Sequence, residues 1–150
     1  MKRLLLVSLF LIPATLSAQT PFRYSAKFVC GKPTAVETGS LAVAPGTYFT
    51  AINVHNLFNN SAVGLRKRFS FGKIGENPGG MSNWLSTTLQ PGQTMLIDCR
   101  DLLGNLGGPP FAEGVAEIIS SGDIDVIGVY TTVGASNLVT TMEIDRVPRR

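Results

Sequence analysis

Three closely linked strands are predicted in residues 111–147, which read FAEGVAEIISSGDIDVIGVYTTVGASNLVTTMEIDRV. Apolar and polar side chains alternate along this stretch with the period of two that is typical of β-strands. The predicted strands are Phe111–Ser120, Ile124–Thr132 and Leu138–Val147. Because the middle strand is apolar on both faces, we place it in the centre of a sheet. In the last strand, the alternation predicts that Ile144 points inward and that Glu143 and Asp145 point outward.

The same alternation extends upstream of this stretch. Further strands are predicted at Tyr24–Cys30, Tyr48–His55, Val63–Phe71, Leu85–Leu89 and Met95–Cys99. One helical turn is predicted at Asp101–Gly104, which has an Asp near its start and a Gly at its end. Seven or eight short strands with turn residues about every ten residues indicate an antiparallel β-sandwich. A closed β-barrel is the alternative architecture.

The first eighteen residues have the order of a secretory signal peptide. Lys2 and Arg3 precede an apolar run at Leu4–Ile12, and the small residues of Leu16–Ala18 come just before Gln19. This order predicts cleavage after Ala18, which leaves residues 19–150 as a single β-sandwich domain. The apolar run is too short for a membrane anchor. We therefore expect an exported protein without a membrane span, in the periplasm or outside the cell.

Composition and charge exclude several classes of protein. Only 15% of the 150 residues are charged and 44% are hydrophobic, which is too apolar for a disordered chain. Once Lys2 and Arg3 are removed, the 13 basic and 10 acidic residues of the chain become 11 and 10, so the charge gives no argument for a nucleic-acid partner. Basic residues concentrate before residue 81 and acidic residues after it. We expect the two groups to pair across strands.

The chain has two cysteines, Cys30 and Cys99. In an exported protein, two cysteines favour one disulfide, and two buried free thiols are the alternative. A zinc site is not indicated, because there is no Cys-x-x-Cys pair and only one histidine.

Four stretches resemble a family of small exported bacterial β-sandwich proteins for which no activity is established. They are Tyr24–Gly31, Pro45–Asn56, Met95–Leu102 and Phe111–Arg150. The resemblance covers most of residues 19–150 and implies an exported sandwich, without site residues to carry over. Residues 125–131, DVIGVYT, are also similar to one strand of the sensory rhodopsin transducer proteins, which are β-sandwich oligomers.

No catalytic signature is present in the sequence. His55 is the only histidine that could act as a base, and no Gly-x-Ser-x-Gly motif accompanies it. Asp123 and Asp125 are spaced about 6.6 Å apart along a strand, which fits the carboxylate pair of an inverting hydrolase or two oxygen ligands for calcium. A turn role for Asp123 is the simpler interpretation. We therefore expect no cofactor and no catalytic residue, and we keep a hydrolase using Asp123, Asp125 and His55 as a minor alternative.

Candidate ligand-binding residues are Arg66, Arg68, Trp84, His55 and Asn53. On a strand, Arg66 and Arg68 project to one side, where they either protect a sheet edge or contact a polyanion. Trp84 lies in a Gly-rich loop and is either a core residue or an aromatic platform for a sugar. We expect a non-enzymatic binding or structural module of the cell envelope, with an envelope polysaccharide or another exported protein as its partner. The alternative is a subunit that assembles into an oligomer through its strand edges.

Overall fold

The computed structural model of the chain describes residues 20–33, 43–58, 60–72, 79–134 and 139–149, and it describes only the backbone at residues 140–142. Eight strands and one short helix form in these parts of the chain. In chain order they are β1 (Phe22–Gly31), β2 (Thr47–His55), β3 (Val63–Phe71), β4 (Leu85–Leu89), β5 (Thr94–Asp98), α1 (Cys99–Asn105), β6 (Phe111–Ser120), β7 (Asp125–Val133) and β8 (Val139–Arg146). The predicted signal peptide at residues 1–18 lies outside the described residues.

The eight strands form one antiparallel sheet that folds over into two layers. The first layer has the strand order β4-β3-β6-β1, and the second has the order β5-β2-β7-β8. The layers join where Gly31, at the end of β1, pairs with Tyr48 of β2. Because β4, β5 and β8 each pair with a single strand in the described parts of the chain, the sheet does not close. The fold is the predicted antiparallel β-sandwich and not a barrel, and β7 lies inside its layer as its apolar faces predict.

Alternate residues of each strand fill the space between the layers. The largest side chains that are at most 1% exposed include Phe28, Phe69 and Ile118 in the first layer, and Ile52, Ile97 and Val126 in the second. Completely burying a side chain of this size contributes about 1.5–3 kcal/mol to stability. The core is therefore shared between the layers, and neither layer could bury its apolar face without the other.

Cys30 and Cys99 form the predicted disulfide. Cys30 lies near the end of β1, and Cys99 is the first residue of α1, which directly follows β5. Their Cα atoms are 5.4 Å apart, although the two residues are separated by 69 positions in the sequence. The described residues include no free cysteine. The disulfide therefore links the first layer covalently to the end of the second.

The helix begins earlier and runs longer than the single turn predicted at Asp101–Gly104. It starts at Cys99 and ends at Asn105. The N-cap is Asp98, whose carboxylate accepts hydrogen bonds of 2.9 and 3.0 Å from the backbone N–H groups two and three residues later. Because Asp98 both ends β5 and caps α1, the chain turns from strand to helix without an intervening loop.

The prediction for the side chains of β8 is wrong. Ile144 pairs with Val129 on the outer face of the second layer and is 67% exposed. Glu143 pairs with Tyr130 and therefore lies on the inner face, and the same holds for Asp145. Both carboxylates are nevertheless exposed. At this edge of the sandwich, side chains on the inner face still reach water, so the usual rule that apolar residues point inward does not operate.

Two ion pairs join basic residues from the first half of the sequence to acidic residues from the second half, and one of them, Arg68–Glu117, lies across neighbouring strands as expected. Arg68 Nε lies 2.6 Å from Glu117 Oε2 on the neighbouring strand β6. Lys67 Nζ lies 4.0 Å from Asp101 Oδ2 of α1, and its side chain is only 14% exposed. The uneven distribution of charge along the chain is therefore partly neutralised inside the fold.

Candidate functional site

Arg66, Arg68 and Trp84, which the sequence singles out separately, meet on the outer face of the first layer. Arg66 and Arg68 lie on the outward-facing positions of β3. Trp84 comes directly before β4, and the pairing of Lys67 with Leu85 brings it alongside them. The guanidinium carbons of Arg66 and Arg68 are 5.2 and 4.5 Å from the centre of the Trp84 ring. We call these three residues the Trp84 platform.

Trp84 is half-buried and does not belong to the core between the layers. A guanidinium within about 6 Å of an indole centre is attracted by the electrons of the ring. Two such contacts on one indole restrict the rotamers of both arginines before any ligand arrives. The Trp84 platform therefore presents an ordered pair of planar cations at the surface of the molecule.

The two arginines of the Trp84 platform differ in their electrostatic surroundings. Arg68 is neutralised by Glu117, with which it shares a hydrogen bond of 2.6 Å. Arg66 is exposed, and no carboxylate of the described residues lies within ion-pair distance of it. Arg23 lies in the same row on the outer face, because both Arg23 and Arg66 pair with Ile119. Two strand spacings separate them, or about 10 Å. Arg66 is therefore the free cation of the platform, with Arg23 as a second positive charge nearby.

This arrangement suits a ligand that combines a planar or apolar surface with an anionic group. A guanidinium offers several N–H donors in one plane, which match the oxygen atoms of a carboxylate, sulfate or phosphate. An indole ring offers a flat surface against which the C–H groups of a sugar can pack.

His55 and Asn53 lie on the outer face of the second layer, away from the Trp84 platform. His55 is the last residue of β2 and is placed between Thr94 of β5 and Asp125 of β7. Asn53 is placed between Leu96 and Ile127 on the same strands. The structure therefore does not combine these two polar residues with the arginines into one site.

Asp123 and Asp125 each have partners of their own. Asp125 Oδ1 accepts a hydrogen bond of 2.8 Å from Arg146 Nε. Asp123 accepts a hydrogen bond of 2.7 Å from the Tyr24 hydroxyl and lies 3.4 Å from Arg149. No group of three potential metal ligands occurs within the described ranges. The two carboxylates therefore tie the C-terminal segment to the sandwich.

Burial raises the pKa of Tyr24 to about 12. Burial is the largest of the causes that together give this value: the hydrogen bond to Asp123 and the charge of that carboxylate also raise the pKa, whereas the hydrogen bond from the Ile124 N–H and the charge of Arg149 lower it. The Tyr24 hydroxyl therefore remains a hydrogen-bond donor at all physiological pH values, and it holds Asp123 in place.

A cleft that the sequence did not indicate lies between β1 and β8. It has a volume of about 320 Å³, and its lining includes Lys27, Tyr48, Tyr130, Glu143 and Asp145. Burial raises the pKa of Tyr130, and the nearby carboxylates of Asp145 and Glu143 raise it as well. Sequence reasoning missed this cleft because it placed Glu143 and Asp145 on the opposite face of β8. We call it the β1–β8 cleft.

The fold and disulfide define an antiparallel β-sandwich with a covalent link between its layers. The crystal structure of Thermotoga maritima 1070 is similar to it, with a TM-score of 0.52 and 12% sequence identity over 85% of this chain and 90% of that chain. At this identity, the similarity extends to the fold alone. No protein-family model matches the sequence, and no curated protein matches it. No helix in the described residues is long and apolar enough to cross a membrane.

Proposed function

We propose that this protein is an exported, non-enzymatic binding module of the cell envelope, and that the Trp84 platform binds an anionic polysaccharide. The observation that carries the proposal is the contact of two guanidinium groups with the half-buried indole ring of Trp84. Such a group of side chains contributes little to the core, because Trp84 lies outside it. Its chemistry instead matches that of an acidic sugar, which has both an apolar ring face and a carboxylate or sulfate.

Two further features support binding rather than catalysis. The residues of the minor alternative, a hydrolase, are held in ion pairs, since Asp123 and Asp125 each contact an arginine. The disulfide is compatible with export, because such bonds persist in oxidising compartments. An acidic polysaccharide of the envelope would meet the protein in that compartment.

The test uses Trp84 as its own reporter, because it is the only tryptophan in the chain. Polygalacturonate is titrated into the purified protein while tryptophan fluorescence is recorded, with uncharged dextran as the control polymer. We expect a saturable change in tryptophan fluorescence with polygalacturonate and not with dextran. Added salt should weaken polygalacturonate binding, because salt screens surface charges. An equal response to dextran would contradict an anion-specific site.

Substitution of Arg66 tests the role of the free cation. We expect Arg66→Gln to weaken polygalacturonate binding about five- to tenfold, because one charge-assisted hydrogen bond is lost. The matched control is Arg100→Gln, which removes another exposed guanidinium, from α1 and away from the platform. Trp84→Ala, measured by calorimetry, should lose most of the affinity. Unchanged binding in both platform variants would reject the proposal.

A further inference from the structure

β8 forms one edge of the second layer. It pairs with β7 from Ile127 to Val133, and no other described strand pairs with it. A strand at an edge presents alternate backbone N–H and C=O groups on its outer side. Such an edge can accept an added strand from another polypeptide, which supplies backbone hydrogen bonds along its length.

The side chains of β8 would impose a pattern on an added strand. Glu143 and Asp145 are two residues apart and share the inner face of the layer, where both are exposed. Ile144 lies between them on the outer face and is 67% exposed. Because side chains alternate between faces along a strand, an added strand would place alternate residues beside the two carboxylates and the residue between them beside Ile144.

The β1–β8 cleft opens beside the two carboxylates. Its lining includes the half-buried Tyr130 and the exposed carboxylates of Glu143 and Asp145. A volume of about 320 Å³ gives a long side chain on the inner face room to enter. The lining combines carboxylates with tyrosine rings, both of which attract the ammonium or guanidinium end of a basic side chain. Lys27 also lines the cleft and limits this attraction to the part nearest β8.

A second copy of β8, paired about Ile144, is disfavoured as the added strand. Antiparallel pairing of two β8 strands about Ile144 would place Glu143 of each copy opposite Asp145 of the other. Like charges directly opposite each other destabilise a strand pair. Charge complementarity therefore selects a strand of a different sequence.

We propose that β8 accepts an extended segment of a partner protein that has a basic–apolar–basic pattern. The two basic side chains pair with Glu143 and Asp145, and the apolar side chain packs against Ile144. The competing explanation is that the carboxylates only protect the edge from unwanted pairing. If β8 accepts a partner strand, a peptide with the basic–apolar–basic pattern binds to it. If the carboxylates only protect the edge, the same peptide does not bind.

The experiment measures the fluorescence anisotropy of short labelled peptides added to the purified protein. The probe has a central Lys-Ile-Lys flanked by threonines, and one control peptide has Glu-Ile-Glu in its place. A second control keeps both lysines but has N-methylated backbone amides, which cannot donate hydrogen bonds to the edge. We expect the Lys-Ile-Lys peptide to bind and both controls to bind at least about tenfold more weakly.

A double variant, Glu143→Gln with Asp145→Asn, tests the site on the protein. We expect it to weaken binding of the Lys-Ile-Lys peptide about fivefold or more, because two opposite-charge pairs are lost. The matched control, Glu113→Gln, removes a carboxylate from β6 in the first layer and should leave binding unchanged. Equal binding of the N-methylated peptide, unchanged binding in the double variant, or no binding of the Lys-Ile-Lys peptide would each overturn the proposal.

Discussion

At the scale of single residues, Tyr24 illustrates how one buried hydroxyl organises the end of the sandwich. Its side chain is 2% exposed, and its hydroxyl both donates to Asp123 and accepts from the backbone N–H of Ile124, at 2.7 and 3.1 Å. Asp123, which precedes Ile124 in the sequence, also forms an ion pair with Arg149. Tyr24 therefore connects the core to the C-terminal segment through a single hydrogen-bonded atom.

We predict that Tyr24→Phe lowers the free energy of unfolding by about 1–3 kcal/mol at neutral pH, because the buried Ile124 N–H loses its acceptor. Since the pKa of Tyr24 is raised from 10.0 to about 12 in the folded protein, its contribution is complete below pH 10 and is lost as the pH rises through about 12. The difference in stability between Tyr24→Phe and the unchanged protein should therefore narrow above pH 10. Urea unfolding across this range provides the measurement.

The control for this prediction is Tyr48→Phe, whose hydroxyl donates to the carbonyl of Ala44 at the protein surface. It should change stability less than Tyr24→Phe at neutral pH. A constant difference between Tyr24→Phe and the unchanged protein up to pH 12 would show that the hydroxyl titrates alike in the folded and unfolded chains.

At the scale of elements, α1 depends on its cap. It has only seven residues, and helices this short form in water mainly because other parts of the protein hold them. Asp98 satisfies two of its free backbone N–H groups, the disulfide fixes its first residue, and Leu102 is completely buried. The helix is therefore held in place by its N-cap, by the disulfide and by the packing of Leu102 in the core.

We predict that Asp98→Ala lowers the free energy of unfolding by about 1 kcal/mol, because the two N–H groups lose their acceptor. Asp98→Asn should preserve most of the stability, since the amide oxygen can accept the same hydrogen bonds. The measurement is urea unfolding of both variants under oxidising conditions. Equal losses in the two variants would argue against the capping interaction.

The strands differ in how well their patterns predict them. In β2, the buried residues Thr50, Ile52 and Val54 alternate with less buried residues, which is the pattern typical of a strand with one buried face. In β8, the same type of pattern predicts that Ile144 points inward, but the structure places it on the outer face. The difference is physical, because β2 lies between two strands over the core whereas β8 lies at an edge where both faces reach water. Hydrophobic alternation determines orientation only where one face is truly buried.

At the scale of the whole molecule, the disulfide is the main covalent constraint between distant parts of the chain. It joins two residues that are 69 positions apart in the sequence, and Cys30 is completely buried. In the chain-entropy account, a loop of this length stabilises the folded state by about 4 kcal/mol, because it restricts the unfolded chain. This is a large fraction of the stability of a typical domain, which is about 5–15 kcal/mol.

We predict that the double variant Cys30→Ala, Cys99→Ala loses about 3–4 kcal/mol of unfolding free energy and keeps its β-rich far-ultraviolet spectrum. Chemical reduction of the unchanged protein should give a similar loss, whereas the double variant should not respond to reductant. Urea unfolding with and without reductant measures both effects. A loss smaller than about 1 kcal/mol would indicate that packing alone holds the layers together.

The candidate site was predictable in its parts but not in its assembly. The sequence indicates that Arg66 and Arg68 share one side of a strand, and it singles out Trp84 in a loop. Their contact depends on the pairing of β3 with β4, which places Leu85 opposite Lys67. Nothing in the local pattern fixes that register, because it is set by how the two strands share the core.

By itself, the sequence determined most of the strand content, because strands follow from local periodicity. It favoured a sandwich over a barrel and a Cys30–Cys99 disulfide over two free thiols, and the structure decided both. Only the tertiary structure decided which surfaces are exposed to ligands and partners. The stacking at Trp84, the orientation of Glu143 and Asp145 and the β1–β8 cleft all depend on contacts between residues far apart in the chain. Such contacts depend on packing the two layers against each other, and a pattern that repeats every two residues carries no information about them.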